Sequence, residues 1–295
     1  MNLKEVKHRI MSVKSTQKIT SAMKLVSAAK LHRAEAAAVG IHPYQCRLHG
    51  MLSTLLSGVA VYNSPFTVER EIKRVAIVAV ASDRGMCGAF NSNIIRTLKL
   101  AIDEYKLHGA DVEILPVGKK MHEAVLKAGV SIDTSLLSQA GSPKYAAVAA
   151  AALAIMERFA AGALDRVDIV YSNPLSGAKL ELQREQLLPF IVADRLQLSS
   201  EHLCDYILEP GREALLAELF PKVIALHLFE ALLDSAVAEH SARMLAMQVA
   251  TDNATDLIAE LTLEYNKGRQ QAITGEILDI MAGEYREFLK AINQI

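Results

Sequence analysis

The 295-residue chain contains no tryptophan, and aromatic residues make up only 5% of it. Surfaces that stack nucleobases or sugar rings need aromatic faces, so nucleic-acid stacking and carbohydrate binding are disfavoured. Cysteine is equally scarce. Cys46, Cys87 and Cys204 are widely spaced, odd in number and form no CxxC pair. That usage fits a reducing, cytoplasmic setting and not a disulfide framework. No stretch of 18 apolar residues occurs, so a membrane-spanning helix is not expected. Lys and Arg recur through the N-terminus and leave no apolar core for a secretory signal. There is no charge excess of one sign either: 32 Lys and Arg stand against 33 Asp and Glu, a net charge of −1, which gives no global attraction to nucleic acid or membrane. HExxH, GxSxG, GxGxxG and the Walker lysine motif are all missing, and the nine histidines are scattered without metal spacing. His122-Glu123 and Glu239-His240 are adjacent pairs, which do not face one another on a helix. No catalytic residue, cofactor site or metal ligand is therefore expected.

What the chain does have is 51% hydrophobic residues, much of it alanine, and length for one large or two modest domains. Its charge is unevenly placed. Met1–Arg33 carries eight Lys and Arg against Glu5 alone, a difference of +7, whereas Thr251–Ile295 carries eight acids against four bases, a difference of −4. Two helices of opposite sign make antiparallel partners. The first helix is expected from near Asn2 to about Ser57, with a bend near Gly40–Pro43, because Pro43 lacks a backbone donor. Leu3, Val6, Ile10 and Val13 form an apolar stripe at steps of three and four. It thins into Ala22, Val26, Ala29 and Ala36, small residues that would admit a close helix neighbour. At the other end, a short helix Arg212–Leu219 is expected to stop at Pro221. A second runs from there to about Leu289. Leu233, Val237, His240, Met244, Met247, Thr251, Ala254, Ile258, Leu261 and Tyr265 follow the heptad steps of a coiled-coil seam, which His240 and Thr251 weaken locally. Such a helix of about 65–70 residues is roughly 100 Å long, more than a compact domain of this size can cover. Gly268, Gly275 and Gly283 soften its far end by about 1 kcal/mol each relative to Ala.

The middle of the chain reads differently. Strands are expected at Val75–Val80, Val112–Val117, Val167–Tyr171, Lys179–Leu187 and Cys204–Leu208. Helices alternate with them: one capped by Asn91 and running to Leu107, one near Lys119–Lys127, and one at Ser142–Phe159 with Ser142 as cap and Pro143 in first position. This alternation implies an open α/β sheet over about residues 70–209. The expected division is thus 1–62, 70–209 and 210–295, the first and last segments pairing.

Between the first strand and its helix lies Ser82-Asp83-Arg84-Gly85-Met86-Cys87-Gly88. Doubly wound folds bind phosphate at such a place. Without a GxGxxG pattern, however, the plainer reading is a tight turn using glycine for backbone freedom, with Cys87 a small packed thiol and not a nucleophile. Taken on these residues alone, the chain is an interaction or mechanical element. Two other readings stay open: a nucleotide-binding α/β enzyme with its site at Gly85–Gly88 and helical dimerisation arms, and a homodimeric coiled-coil scaffold.

Three separated motifs carry a resemblance. Ser15–Met23 with Val26, the 82–88 turn with Asn91, and Glu239–Met244, Ala250–Ala254 and Tyr265–Gln270 with Ile273-Thr274 resemble the gamma subunit of F-type ATP synthases, in the expected order along the chain. The resemblance implies an antiparallel coiled coil of the N- and C-terminal helices plus a central Rossmann-like α/β domain. It implies a non-catalytic rotor shaft whose partners are the alpha and beta subunits of the catalytic ring, the epsilon subunit and the membrane c-ring. The setting it implies is peripheral, on the cytoplasmic face of a bacterial inner membrane, and no cofactor is implied. By the same resemblance Met23, Lys24, Arg243, Arg269, Gln270 and Thr274 are the residues that meet the alpha–beta ring. The sequence departs from the family pattern at Gly268, where Ala is usual, at Gly275, where a long polar residue is usual, and in the charged stretch Glu284–Ile295. The inserted cysteine pair that chloroplast members use as a redox switch is also missing.

Overall fold

The computed structural model describes residues 3–56, 64–176, 179–190 and 208–292. Among the described residues, five α-helices and five strands succeed one another, with a 3-10 turn at Leu137–Gln139: α1 Leu3–Leu56, β1 Arg74–Val80, α2 Phe90–Leu107, β2 Asp111–Val117, α3 Lys119–Leu126, β3 Ser131–Ile132, α4 Tyr145–Ala160, β4 Arg166–Ser176, β5 Lys179–Leu188 and α5 Arg212–Ile292. The chain divides into two compact bodies, Met1–Leu25 with Met247–Ile295, and Val26–Ala246.

The second body is built on one sheet in the order β3-β2-β1-β4-β5. β1, β2, β3 and β4 pair in parallel, and β5 returns antiparallel on β4. Both faces of β1 are covered, which is why it reads as an unbroken apolar run. Alternation sorts its side chains: Ala76, Val78 and Val80 enter one core with Ile155, Met156 and Phe159 of α4, while Val75, Ile77 and Ala79 enter the other with Ile94 and Leu98 of α2. The first core also takes Leu48, Leu52 and Leu55 of α1 and Leu216, Phe220 and Ile224 of α5. Each such side chain contributes roughly 1.5–3 kcal/mol when fully buried. β4 carries one fully buried charge, Asp168. It accepts from Tyr105 Oη at 2.6 Å, Arg166 Nε at 2.8 Å and Arg184 Nε at 3.1 Å, so α2, β4 and β5 share one saturated knot. Burial first, then the bond to Asp168, pushes the Tyr105 hydroxyl up to about 12.

Several expectations are corrected. Pro221 does not end a helix: α5 runs through it as α1 runs through Pro43. A proline within a helix costs about 3 kcal/mol; near Pro221 the burial of Leu216, Phe220, Val223 and Ile224 offsets it. Ser142 does not cap α4, which starts at Tyr145; instead the Gln139 side chain accepts from Lys144 N at 3.0 Å. Asn91 lies inside α2 and not at its cap. The two-residue strand β3 went unread, being too short to show a period. Of the strand expected at Cys204–Leu208, residues 204–207 lie outside the described residues, and Leu208 is not in a strand.

Candidate functional site

In the first body α1 and α5 form an antiparallel pair. Contacts that ascend one helix descend the other: Leu3 lies beside Gly268, Gln17 Nε2 donates to Thr255 Oγ1 at 2.7 Å, Thr251 Oγ1 lies 2.8 Å from Thr20 Oγ1, and Lys24 Nζ donates to Gln248 Oε1. On α5, Met247, Ala254 and Leu261 are buried and Thr251, Ile258 and Tyr265 half-buried, which matches the heptad steps read from the sequence. On α1 the covered positions are Leu3, Val6, Ile10, Val13, Gln17, Thr20 and Lys24, again at steps of three and four. The small-residue stripe is therefore misplaced: Ala22, Val26, Ala29 and Ala36 are exposed. The seam passes through polar side chains there, and hydrophobicity alone does not trace it. Nor does Thr251 weaken the pair, because its hydroxyl meets that of Thr20 across the seam.

The residues expected to meet a partner fall into three settings. Met23 and Lys24 are half-buried in the pair, and Lys24 heads a chain in which Gln248 Nε2 donates to both Asp252 oxygens at 2.8 Å. Arg269, Gln270 and Thr274 face solvent, with the Thr274 hydroxyl donating to Gln270 O at 2.9 Å. Past Gly268, where Leu3 of α1 is the last neighbour described, α5 continues with Ile273, Ile277, Leu278, Ile280 and Met281 all exposed. An apolar series of this length is normally covered by something.

Arg243 belongs to the second body and is 8% exposed. Its Nη1 pairs with Glu239 Oε1 at 2.7 Å, its Nη2 donates to Arg84 O at 3.0 Å, and its Nε approaches Gly85 O at 3.5 Å. The guanidinium thus clasps the 82–88 turn from α5. Ser82 and Asn91 brace the same turn from inside: Ser82 N donates to Asn91 Oδ1 at 3.1 Å, and Asn91 Nδ2 donates to Ser82 Oγ at 2.8 Å and to the buried Cys87 thiol at 3.2 Å. The left-handed positions fall on Gly88 (φ 61°) and on Met86 (φ 63°), not on Gly85. Met86 points outward at 61% exposure, a non-glycine residue held in a conformation that its neighbours must enforce. His240, the other polar seam residue, has Nε2 3.3 Å from Gly141 O and Nδ1 3.5 Å from Arg243 Nη1. Burial lowers its pKa, so the neutral ring is favoured beside that cation.

Around the clasp lies a cleft of about 430 Å³, lined by Lys30, Arg33, Arg84, His240 and Arg243 together with Asp83 and Glu239. Lys30 and Arg33 entered the sequence reading only as part of a charge sum. Their spacing hinted at one helix face, but nothing in the sequence placed them opposite the 82–88 turn. The arrangement suits recognition of an acidic surface. The carbonyls of Arg84 and Gly85 face Arg243, which holds the turn against α5.

A sequence profile described as ATP synthase matches residues 2–285. The ATP synthase gamma chain of Phocaeicola vulgatus is 47% identical, over 96% of this chain and 98% of that protein. That of Bacteroides fragilis is 48% identical, again over 96% and 98%. A Flavobacterium psychrophilum gamma chain is 42% identical over 96% and 97%. Among solved structures, the rotor of the Euglena gracilis mitochondrial ATP synthase superposes with a TM-score of 0.60 at 19% identity, over 92% of this chain and 98% of that one. The central stalk and c-ring structure from Tetrahymena thermophila gives 0.55 at 21%, over 79% and 99%. At these identities the solved structures bear on the fold alone.

Proposed function

Since the chain belongs to the ATP synthase gamma chain family, we propose that it is the central-stalk rotor shaft of a proton-translocating F-type ATP synthase. In this role it couples rotation of the membrane c-ring to conformational change, and so to ATP synthesis or hydrolysis, at the beta subunits. Its partners are the alpha and beta subunits of the catalytic ring, the epsilon subunit and the c-ring. It carries no active site of its own. It is peripheral to the membrane, on the cytoplasmic face of a bacterial inner membrane; no helix among the described residues is long and apolar enough to cross a bilayer. The working parts are the helical segments 1–62 and 210–295 and the α/β domain 70–209.

The observation that carries this reading is the uncovered apolar series Ile273–Met281 beyond the helix pair, on the same helix as the exposed Arg269 and Gln270. An asymmetric shaft offers each of three equivalent beta subunits a different face at each angle. Only such differential contacts can shift subunits between open and closed states. Arg269, Gln270 and Thr274 make these contacts directly. Met23 and Lys24 do so from within the pair, and Arg243 acts through the Arg84–Met86 turn that it clasps.

Two measurements test this. The pure chain should hydrolyse no ATP and should copurify with a nucleotide-binding alpha–beta ring; appreciable ATPase activity of the chain alone sinks the proposal. Replacing Arg269 and Gln270 together by Ala should leave the melting temperature of this subunit unchanged and lower turnover of the assembled complex about tenfold, the equivalent of 1.4 kcal/mol in the barrier. Unchanged turnover removes both residues from the contact set.

A further inference from the structure

Glycine occupies six places where the described backbone enters the left-handed region: Gly88, Gly109, Gly118, Gly129, Gly141 and Gly162 take φ between 61° and 89°. Met86, at φ 63°, is the exception among the described residues. A side chain in that region brings Cβ close to the following carbonyl oxygen, a strain worth roughly a factor of ten in the local equilibrium. Packing within the chain does not offset it, because Met86 is 61% exposed. A lone exposed methionine is ordinary. One kept exposed in a conformation that glycine takes freely is not. The backbone is pinned on both sides of it. Ser82 Oγ donates to Arg84 O at 2.7 Å and Arg243 Nη2 donates to the same oxygen at 3.0 Å, while Asn91 Nδ2 donates to Cys87 Sγ at 3.2 Å and Phe90 N to Cys87 O at 3.3 Å. The surroundings are positive. Lys30, Arg33 and Arg84 line the cleft beside the turn, and its two acids are engaged, Asp83 by Lys119 N at 3.1 Å and Glu239 by Arg243 at 2.7 Å.

Building on the shaft reading above, we propose that Met86 is a docking knob: the turn retains a strained methionine because its side chain enters an apolar recess with an acidic rim on the alpha–beta ring. Strain that folding does not need and packing does not offset is kept for an interaction outside the chain. The unpaired cations beside the knob set the charge of the rim it fits. Methionine also suits a contact that must be made repeatedly with subunits in different states. It is unbranched, turns about three bonds and carries a polarizable sulfur, so it adapts to recesses of unequal shape. The Arg243 clasp then has a second purpose, to aim this side chain outward.

The test titrates the full chain and its variants onto an alpha–beta ring, reading the apparent dissociation constant, and follows amide hydrogen exchange of Ser82–Ile94 in the free chain. Met86→Gly relieves the strain, and Met86→Asn tolerates it while removing the apolar extension. Both should keep the turn protected, the glycine variant about fivefold more than the parent. Both should bind the ring about tenfold more weakly, as expected for one lost buried side chain. Met86→Leu should bind within about twofold of the parent, and Met86→Glu about threefold more weakly than Met86→Lys. Binding of the Gly and Asn variants within about twofold of the parent overturns the knob, as does a Leu variant as weak as the Asn one. Lower protection in Met86→Gly also overturns it, because the methionine then serves the fold. Glu binding as tightly as Lys removes the acidic rim. A parent chain that does not bind the ring overturns the shaft reading, and the knob with it.

Discussion

Removing the Arg243 guanidinium should strand a buried charge in the second body. Its partner Glu239 retains 8% of its side-chain exposure, so Arg243→Ala leaves a carboxylate buried without its cation, and the Arg84 carbonyl without its donor. Breaking a buried pair by deleting one member costs about 3–5 kcal/mol, most of it the penalty on the stranded charge. Arg243→Lys keeps the charge, but one ammonium cannot reach both Glu239 and the Arg84 carbonyl, so a loss of about 1–2 kcal/mol is expected. If the stranded carboxylate is the main cost, Glu239→Gln in the Arg243→Ala background should recover about half of it. Two compact bodies make a single unfolding free energy a poor readout. The better assay is hydrogen exchange of amides in Ser82–Ile94. A loss of 3 kcal/mol appears there as a fall in protection of somewhat over a hundredfold. Less than tenfold in Arg243→Ala, or no recovery with Glu239→Gln, refutes the clasp.

Two further substitutions test the backbone reading. Gly118 sits at φ 89° after β2, and a Cβ there would lie 2.3 Å from the Ala81 carbonyl oxygen. Gly118→Ala should therefore destabilise the second body by about 3 kcal/mol or more, read as the loss of soluble protein or of its cooperative melt; a near-neutral result would show that β1 and β2 can part locally. Gly268→Ala should act in the opposite direction. Its Cβ would approach only the end of the Leu3 side chain, at 3.2 Å, and that end can turn aside. The helix-propensity gain of up to about 1 kcal/mol should prevail and raise the melting temperature of the helix pair; a lowered one would mean that Leu3 cannot move.

The core of the α/β domain was legible because β1 is apolar on both faces and β4 carries Val167, Ile169 and Tyr171 on one. The heptad seam of α5 was legible because its steps persist from Leu233 to Tyr265. The matching seam of α1 was not, since Gln17, Thr20, Lys24 and Ser27 occupy covered positions. Polar residues at seam positions declare themselves only once their partners across the pair are known. Pro221 misled for a similar reason: local propensity opposed the helix, and the tertiary burial of Phe220 and Ile224 decided it. Arg243 was singled out by resemblance, but its neighbour Arg84 lies 159 residues away, and no local pattern could have joined them.

The hydroxyl and amide contacts across the helix pair also fix how the two strands of the chain can fail. Twisting a two-stranded rope turns part of the torque into sliding of one strand along the other. If α1 slid by one heptad toward the far end of α5, Thr20 would come opposite Ile258 and Lys24 opposite Thr255. Each lost pairing costs about 1 kcal/mol. A purely aliphatic seam would tolerate such a shift, because one methyl replaces another at every step. Gln17, Thr20 and Lys24 act as teeth: they surrender some hydrophobic stabilisation and in return hold the two helices to a single register under load.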